Sequence, residues 1–544
     1  MPACESRRLM LNFRVYDNAK PASDWPLRNA YLLGADGNAV RAEIWFEDGV
    51  IHCEKRESGV ASLALQHRVG ELGEMTIQTC LLPERNEPYL LNLELARQRL
   101  LTTLSKQEDW ALYDLGPDHP ATKRIEAARR MFTEALCRQK EDPVRADQIA
   151  LDCLAAAVDG SEELALAHSE ILLNRRKLNQ TLPKYPIGAG IQFEQGHERL
   201  RQGLASNFDY VQLPTYWRAL APEEGDFNFA TLDAWMEWAG RNRLPILAGP
   251  LVCFESFCLP DWIYIWEHDY DTVRDLIYEF VEKLVTRYGN YVSVWNVLSG
   301  LHTNNHFALN LDQIMDLTRM ATMLVKKIRP QSRAIIEIRE PFGEYYAGNP
   351  RSIPPMTYAD LIADSSLNFD GFAVRLLMGQ ASSGQYTRDL MQISAMLDEF
   401  AGFNKPIYVT IAAPSEPVTA EMIATGQSDD PVDENSGYWR RPWSPTVQSH
   451  WLAAVYQIAM SKPFVEGVAW NEIVDHPEVQ LPLAGMVNED LQPKPSFKRL
   501  LHFRRMLTEP MPAMAMEAQT GAAQSATSMA PSHEKGADDP RGEE

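Results

Sequence analysis

The stretch Asp275-Leu276-Ile277-Tyr278-Glu279-Phe280-Val281-Glu282-Lys283-Leu284-Val285-Thr286-Arg287-Tyr288-Gly289-Asn290-Tyr291-Val292-Ser293-Val294-Trp295-Asn296-Val297-Leu298 holds one complete helix–strand unit of a repeating pattern. Leu276, Phe280, Val281, Leu284, Val285 and Tyr288 recur at helical spacing, so a helix with one apolar face is expected, stopped by Gly289-Asn290. Val292–Leu298 is then a short apolar run of the kind that forms a strand covered on both faces. The alternation continues on either side. Strands are expected at Pro186–Phe193, Tyr210–Pro214, Pro245–Val252, Val292–Leu298, Ala334–Ile338, Gly371–Leu377, Pro406–Ile411 and Gly467–Asn471, with helix patterns between them. Eight such units within residues 181–508 indicate a (β/α)8 TIM barrel of the α/β class, not an open doubly wound sheet. No G-x-G-x-x-G or P-loop pattern follows the first strand, which argues against a nucleotide site.

Upstream, the period of the pattern changes. Ala42–Glu47 and Val50–Glu54 flank Asp48-Gly49, a pair suited to the positive φ angles of a type I′ turn, so a hairpin is expected. Ser62–Val69 and Met75–Leu81 add further strands, and residues 1–87 together suggest a small antiparallel β-sandwich. Residues 88–180 return to helical spacing, including Ala121–Lys140 and Val144–Arg176, the latter with an expected interruption near Asp159-Gly160. They are expected to form a helical connector covering the sandwich. Residues 509–544 collapse into Ala, Met, Ser, Pro, Gly and Glu without periodicity, the composition of a disordered tail.

The chain has 544 residues, 45% apolar and 23% charged, which is ordinary globular usage. Its net charge of −22 repels phosphate backbones, so no nucleic-acid partner is expected. No run reaches the ~18–20 apolar residues needed to cross a bilayer, and the N-terminus lacks the apolar segment of a signal peptide. The seven cysteines are scattered without a C-x-x-C pair, indicating neither a disulfide framework nor a zinc site. A cytoplasmic protein is the expectation. His302 and His306 stand four apart without a nearby carboxylate, and no H-E-x-x-H occurs, so no metal and no cofactor are expected. Cys253 and Cys258 are expected to be core thiols.

Barrel enzymes carry their chemistry at the C-terminal ends of the strands. Those positions hold Glu255 after the third strand, Asn296, His302, Asn304 and Asn305 around the fourth, and Glu337, Arg339 and Glu340 at the fifth. Arg375 lies in the sixth, Glu416 follows the seventh, and Trp470, Asn471, Glu472 and Asp475 end the eighth. Acids, amides, arginines and aromatics on one rim suit a carbohydrate, whose ring faces stack on aromatics and whose hydroxyls take hydrogen bonds. Barrel loops are polar in any case, so composition alone weighs the two readings evenly. The segment Asp429–Trp443 combines an acidic run with Tyr438, Trp439, Arg440, Arg441 and Trp443. Its aromatics suit a sugar-stacking wall, or equally the packing of this loop onto the rim.

Four segments resemble family 10 glycoside hydrolases, the xylanase-type barrels. Trp217–Phe229 is similar to their W-x-x-L-x-P-x-x-G-x-F-x-F segment, and Leu259-Pro260-Asp261-Trp262 to their L-P-x-W. Trp295-Asn296-Val297-Leu298 stands where they carry W-D-V-V, and Asn488–Pro495 resembles their D-E-x-x-Q-P-K-P. The resemblance spans about residues 182–507 and leaves the first 180 uncovered. It implies a barrel that acts on or binds oligo- or polysaccharide. The departures fall on the working positions. Gly300 stands at the family's general acid, and Ile411 at its nucleophile. The sugar-holding E-N-x-M-K-W becomes Gln212–Trp217, and the two histidines of G-H-T-L-V-W-H become Pro250 and Glu255.

A retaining glycosidase needs two carboxyls ~5–5.5 Å apart, and neither Gly300 nor Ile411 supplies one. The sequence therefore reads as a carbohydrate-engaging barrel without ordinary xylanase chemistry. Candidate sugar contacts are Trp217, Asn296, His302, Arg375, Trp439, Trp443 and Trp470. Two alternatives stand beside it. One is an active O-glycosyl hydrolase with relocated acids, for which Glu255, Glu340 and Glu472 are the candidates. The other is a non-catalytic intracellular scaffold that binds a protein partner through the Tyr438–Trp443 loop.

Overall fold

The structure, a computed structural model, describes residues 10–56, 58–112, 115–193, 197–417, 436–476, 481 and 483–509. The expected tail beyond Glu509 and the acidic run Asp429–Asn435 lie outside the described residues.

Each expected barrel position carries a strand: Ile187–Gly190, Tyr210–Leu213, Ile246–Ala248, Val292–Ser299, Arg333–Ile338, Gly371–Leu377, Ile407–Ala412 and Val465–Trp470. Every neighbouring pair is parallel, and Ile187–Gly190 pairs with Val465–Trp470, so the sheet closes on itself. The third strand has a second piece, Val252–Cys253, laid against the end of the fourth. Alternation of side chains divides each strand between two environments. Tyr210, Leu247, Val294, Ile335, Ala373, Tyr408 and Ala469 point inward and pack together as a plug across the barrel. Gly188 makes room for it, because a Cβ there would lie 2.2 Å from the Tyr210 ring. Two residues further along, the inward positions become Gln212, Asn296, Glu337, Arg375, Thr410 and Asn471. That polar layer is the floor of the mouth.

The N-terminal strands form two sheets. Tyr89–Leu90, Leu11–Arg14, Val50–Lys55 and Ala42–Glu47 lie side by side in one. Gly73–Gln78, Ser62–Arg68, Tyr31–Leu33 and Ala39–Val40 lie in the other. Asp48 and Gly49 take φ of 48° and 76°, as the expected hairpin turn requires. Leu11, Phe13, Ile51 and Cys53 of one sheet meet Leu63, Leu65, Met75 and Ile77 of the other, with Leu91, Leu95, Leu154 and Ala157 closing the core from the helical side.

Helices span Leu91–Asp109, Pro120–Arg138 and Pro143–Leu178. The last runs unbroken through Asp159-Gly160, correcting the expected interruption. Gly160 is a crossing point, not a stop: a Cβ there would sit 3.1 Å from Arg124 Cβ and Ile125 Cγ1 of the neighbouring helix. The cost of an interior glycine, roughly 1 kcal/mol against alanine, is offset by letting two helices touch.

The barrel reaches back into the N-terminal sheet. Tyr438–Trp439, from the long segment after the seventh strand, pairs antiparallel with Gly73–Glu74 as the sheet's fifth strand. Trp439 Nε1 donates to Glu162 at 2.7 Å, and Arg440 pairs with both Asp159 and Glu162. Arg99 of the first helix clamps Asp389 with two bonds, and Thr76 N–H donates to Thr387 O at 2.9 Å. No helix among the described residues is long and apolar enough to cross a membrane.

Candidate functional site

Glu337 sits at the centre of the polar layer, 2% exposed. Its Oε1 accepts from Ser299 Oγ at 2.5 Å and Arg375 Nε at 2.9 Å. Its Oε2 accepts from Asn296 Nδ2 at 3.1 Å and Arg375 Nη2 at 3.2 Å. All four lone-pair sites of the carboxylate are thereby used. Burial alone pushes its pKa up, but the Arg375 charge, the bonds from Arg375 and Ser299, and the Arg339 charge outweigh it and hold the carboxyl below its ordinary value. It is an anchored anion, with no proton to give and no free lone pair to attack with. Arg375 also donates to Asn471 Oδ1 at 2.5 Å, and Asn471 Nδ2 donates to Glu472 Oε1 at 3.1 Å. Gln192 Nε2 reaches the same Glu472 oxygen at 3.2 Å. Glu472 is thus the end of an amide chain and is itself 2% exposed.

The fourth strand ends at Gly300, which takes φ of 69°. A Cβ built there would meet Arg339 Cδ at 2.8 Å and lie 3.5 Å from Glu255 Oε1. The space into which a residue-300 side chain would grow is therefore held by the Arg339 stem, with the Glu255 carboxylate beside it. Arg339 is 5% exposed, its guanidinium lies 5.5 Å from the Phe257 ring centre, and its Nε has no described hydrogen-bond partner. Burial works against its charge, but Glu255, Cys253, Glu337 and Glu340 together raise its pKa above the ordinary value. Glu340, the next residue in the chain, occupies φ of 46° and accepts from Ser383 Oγ at 3.0 Å. Burial is the main cause that pushes its pKa up to about 7; Arg339 opposes this and Glu255 adds to it.

The seventh strand presents Thr410 to the barrel interior, where Gln212 Nε2 donates to its Oγ1 at 3.0 Å. Ile411, one residue on, faces the helical layer and is fully buried there. Ile411 is thus apolar and turned away from the mouth.

Of the candidate sugar contacts, Asn296 and Arg375 are in the mouth, bound to Glu337. The five others are placed in packing. Trp217 stacks on Phe280 with ring centres 5.0 Å apart, and Trp470 donates its indole N–H to Ala484 O at 2.7 Å while packing against Trp451. His302 is fully buried, stacked on Tyr358, with Nε2 2.9 Å from Arg339 O. Burial pulls its pKa down to about 4. Trp439 lies in the seam with Glu162, and Trp443 donates to Gly437 O at 3.2 Å. Tyr438 and Trp439 of the aromatic loop are thus committed to the chain's own N-terminal sheet. Arg339 belongs to the rim positions named from the sequence, but Ser299, Gln212 and Thr410 are site residues absent from the candidate contacts. Strand alternation from Asn296 and Arg375 would have found Gln212 and Thr410, while Arg339 depends on the turn after the fifth strand.

Among the described residues, no group of three or more His, Cys, Asp or Glu is placed to hold a metal ion. His306 lies against Tyr264, apart from His302. Cys253 and Cys258 are buried, and burial, followed by the neighbouring Cys253, pushes the Cys258 thiol up.

No curated protein matches the chain by sequence. Solved structures that it matches include xylanase 10B from Thermotoga maritima, at 15% identity and a TM-score of 0.44 over 60% of this chain and 98% of that one. Xylanase 10B from Thermotoga petrophila in complex with xylobiose matches at 15% identity and 0.43 over 61% and 97%. A xylanase10C mutant from Cellvibrio japonicus in complex with xylopentaose matches at 12% identity and 0.44 over 60% and 68%. Residues 192–315, from just after the first strand to the helix after the fourth, match the model of glycosyl hydrolase family 10, and they lie within the closed parallel (β/α)8 barrel.

Proposed function

We propose that the barrel engages oligo- or polysaccharide in its mouth without performing retaining glycoside hydrolysis, and that it does so in the cytoplasm. The observation that carries this reading is the acid position: Gly300 has no side chain, and the Arg339 stem lies 2.8 Å from where one would start. The carboxylate of the inward polar layer, Glu337, is locked by four hydrogen bonds. What remains at the rim is binding equipment: the half-buried Gln192, Gln212, Tyr216 and Arg375 offer donors, acceptors and one ring to hydroxyls. Losing acid–base help alone costs roughly 10²–10⁴ in rate. Six described cysteines are free thiols, which suits a reducing compartment. Calorimetry with xylobiose and longer xylo-oligosaccharides, alongside an aryl-glycoside turnover screen, tests the proposal. Binding with turnover at the uncatalysed rate is expected, and measurable hydrolysis would refute it.

A relocated-acid reading is favoured by one observation. Glu340, raised to about 7, and Glu255 flank the same arginine, so one carboxyl is poised to hold a proton beside another. If that pair works, any hydrolysis has a pH limb near 7 that disappears in Glu340→Gln. A limb unchanged in that variant removes this reading.

A further inference from the structure

The four-stranded N-terminal sheet buries one face and leaves the other outside the core. Ile44 and Phe46 of its edge strand pack on the core with Ile51, Cys53, Leu11 and Phe13. Alternation turns Glu43, Trp45 and Glu47 outward on that strand, His52 on the next, and Asn12 on the third. The register puts three of these in one row: Trp45 is opposite His52, and His52 is opposite Asn12. All three are half-buried. The Trp45 and His52 rings stack at 5.3 Å with 21° between planes, and His52 Nδ1 is 2.9 Å from Asn12 Oδ1.

We propose that this outer face is a second glycan-binding surface, on which Trp45 stacks against a sugar ring while His52 and Asn12 bind its hydroxyls. One face of the indole is taken by His52, on the inner side; its strand is the edge of the sheet, with no further strand beside it among the described residues. An amide oxygen only accepts, so His52 donates from Nδ1, and in the tautomer with its proton there Nε2 is left as an acceptor. The Asn12 Nδ2 group remains as a donor. The row therefore pairs an apolar plate with one acceptor and one donor, which suits the C–H face and the hydroxyl edge of a neutral sugar. Three strands at ~4.8 Å spacing make the row roughly 10 Å long and flat, a shape for a chain lying across the strands. Glu43 and Glu47 border Trp45 and repel anionic ligands, yet accept from hydroxyls. The proposal is independent of the barrel mouth, since the row lies on the N-terminal module and uses none of the mouth residues.

Affinity gel electrophoresis of the full chain in soluble arabinoxylan, glucomannan or hydroxyethylcellulose tests it. Retardation in at least one gel is expected, with Trp45→Ala weakening it at least tenfold, Trp45→Phe retaining most of it, and the mouth variant Glu255→Gln leaving it unchanged. Trp45 stands outside the core, so the Trp45→Ala melting temperature should match the wild type and confirm a folded variant. Three results would overturn the proposal: no retardation of the wild type in any gel, loss in Glu255→Gln but not in Trp45→Ala, or a Trp45-dependent capture on polylysine alone. The last would mark the face as a site for cationic peptide. Trp45-dependent retardation, together with calorimetry that finds no xylo-oligosaccharide bound at the mouth, would count against the barrel reading only.

Discussion

Replacing Glu337 by Gln removes the negative charge from the middle of the mouth while keeping its shape. Arg375 would then be left 12% exposed at its side chain, with an uncompensated charge and Asn471 as its remaining described side-chain partner. Breaking one side of a buried ion pair costs about 3–5 kcal/mol, because the surviving charge has lost its solvent and its partner together. Glu337→Gln and Arg375→Leu should each destabilise the barrel by about that much at pH 7. The double variant should cost less than the sum by about 3 kcal/mol or more, since neither orphan charge remains. Urea unfolding of the four proteins, followed by tryptophan fluorescence in one buffer, measures the cycle. The pH dependence gives a second check with a definite sign. Glu337 is depressed below its ordinary 4.5 in the fold, so its contribution is complete above that value and disappears as pH falls through the lower folded value. The gap between wild type and Glu337→Gln should therefore narrow below pH 4.5. Additive single-variant costs, or a gap that does not narrow in acid, would refute the picture of a locked carboxylate.

Gly300→Glu should not create a hydrolase. Its left-handed backbone costs roughly 1–2 kcal/mol for any side chain, and the new Cβ meets Arg339 Cδ at 2.8 Å, so a lower melting temperature and no gain in aryl-glycoside turnover are expected. Gly160→Val should push apart two helices, since even its Cβ would lie 3.1 Å from Arg124 Cβ and 3.2 Å from Ile125 N, at a cost of about 1–3 kcal/mol or more by thermal unfolding; an unchanged midpoint would contradict the crossing. His67, His168 and His302 are each pulled down to about 4, mainly by burial, so they stay neutral in the fold where the unfolded chain takes up protons. Stability should accordingly decline from about pH 6.5 toward 4, and their imidazole NMR resonances should not titrate above pH 5; titration near 6.5 would sink the assignment.

The barrel was legible because a buried parallel strand writes its burial into a short apolar run, and Val292–Leu298 or Gly371–Leu377 admits few other readings. Asp48-Gly49 was legible for a local reason too, since both residues tolerate the positive φ that the turn imposes. Gly160 misled because a glycine inside a helix pattern marks either an end or a close approach, and only the neighbouring helix decides which. The site was legible in part. Asn296 and Arg375 follow from strand phase, whereas Trp217, Trp439, Trp443 and Trp470 were judged by residue type, and type does not say which way a ring points.

From the sequence alone came the eight strand–helix units, the separate sheet-forming region before them, and the identities of Gly300 and Ile411 at the ends of the fourth and seventh strands. Those properties are local: each depends on a few consecutive side chains and their period. The tertiary structure decided the rest. It turned Ile411 and Trp470 toward the helices, laid Arg339 beside Gly300, and carried Tyr438–Trp439 across to the N-terminal sheet. These are contacts between residues tens or hundreds apart, set by how closed layers must pack, and no stretch of chain contains the geometry of its distant neighbour.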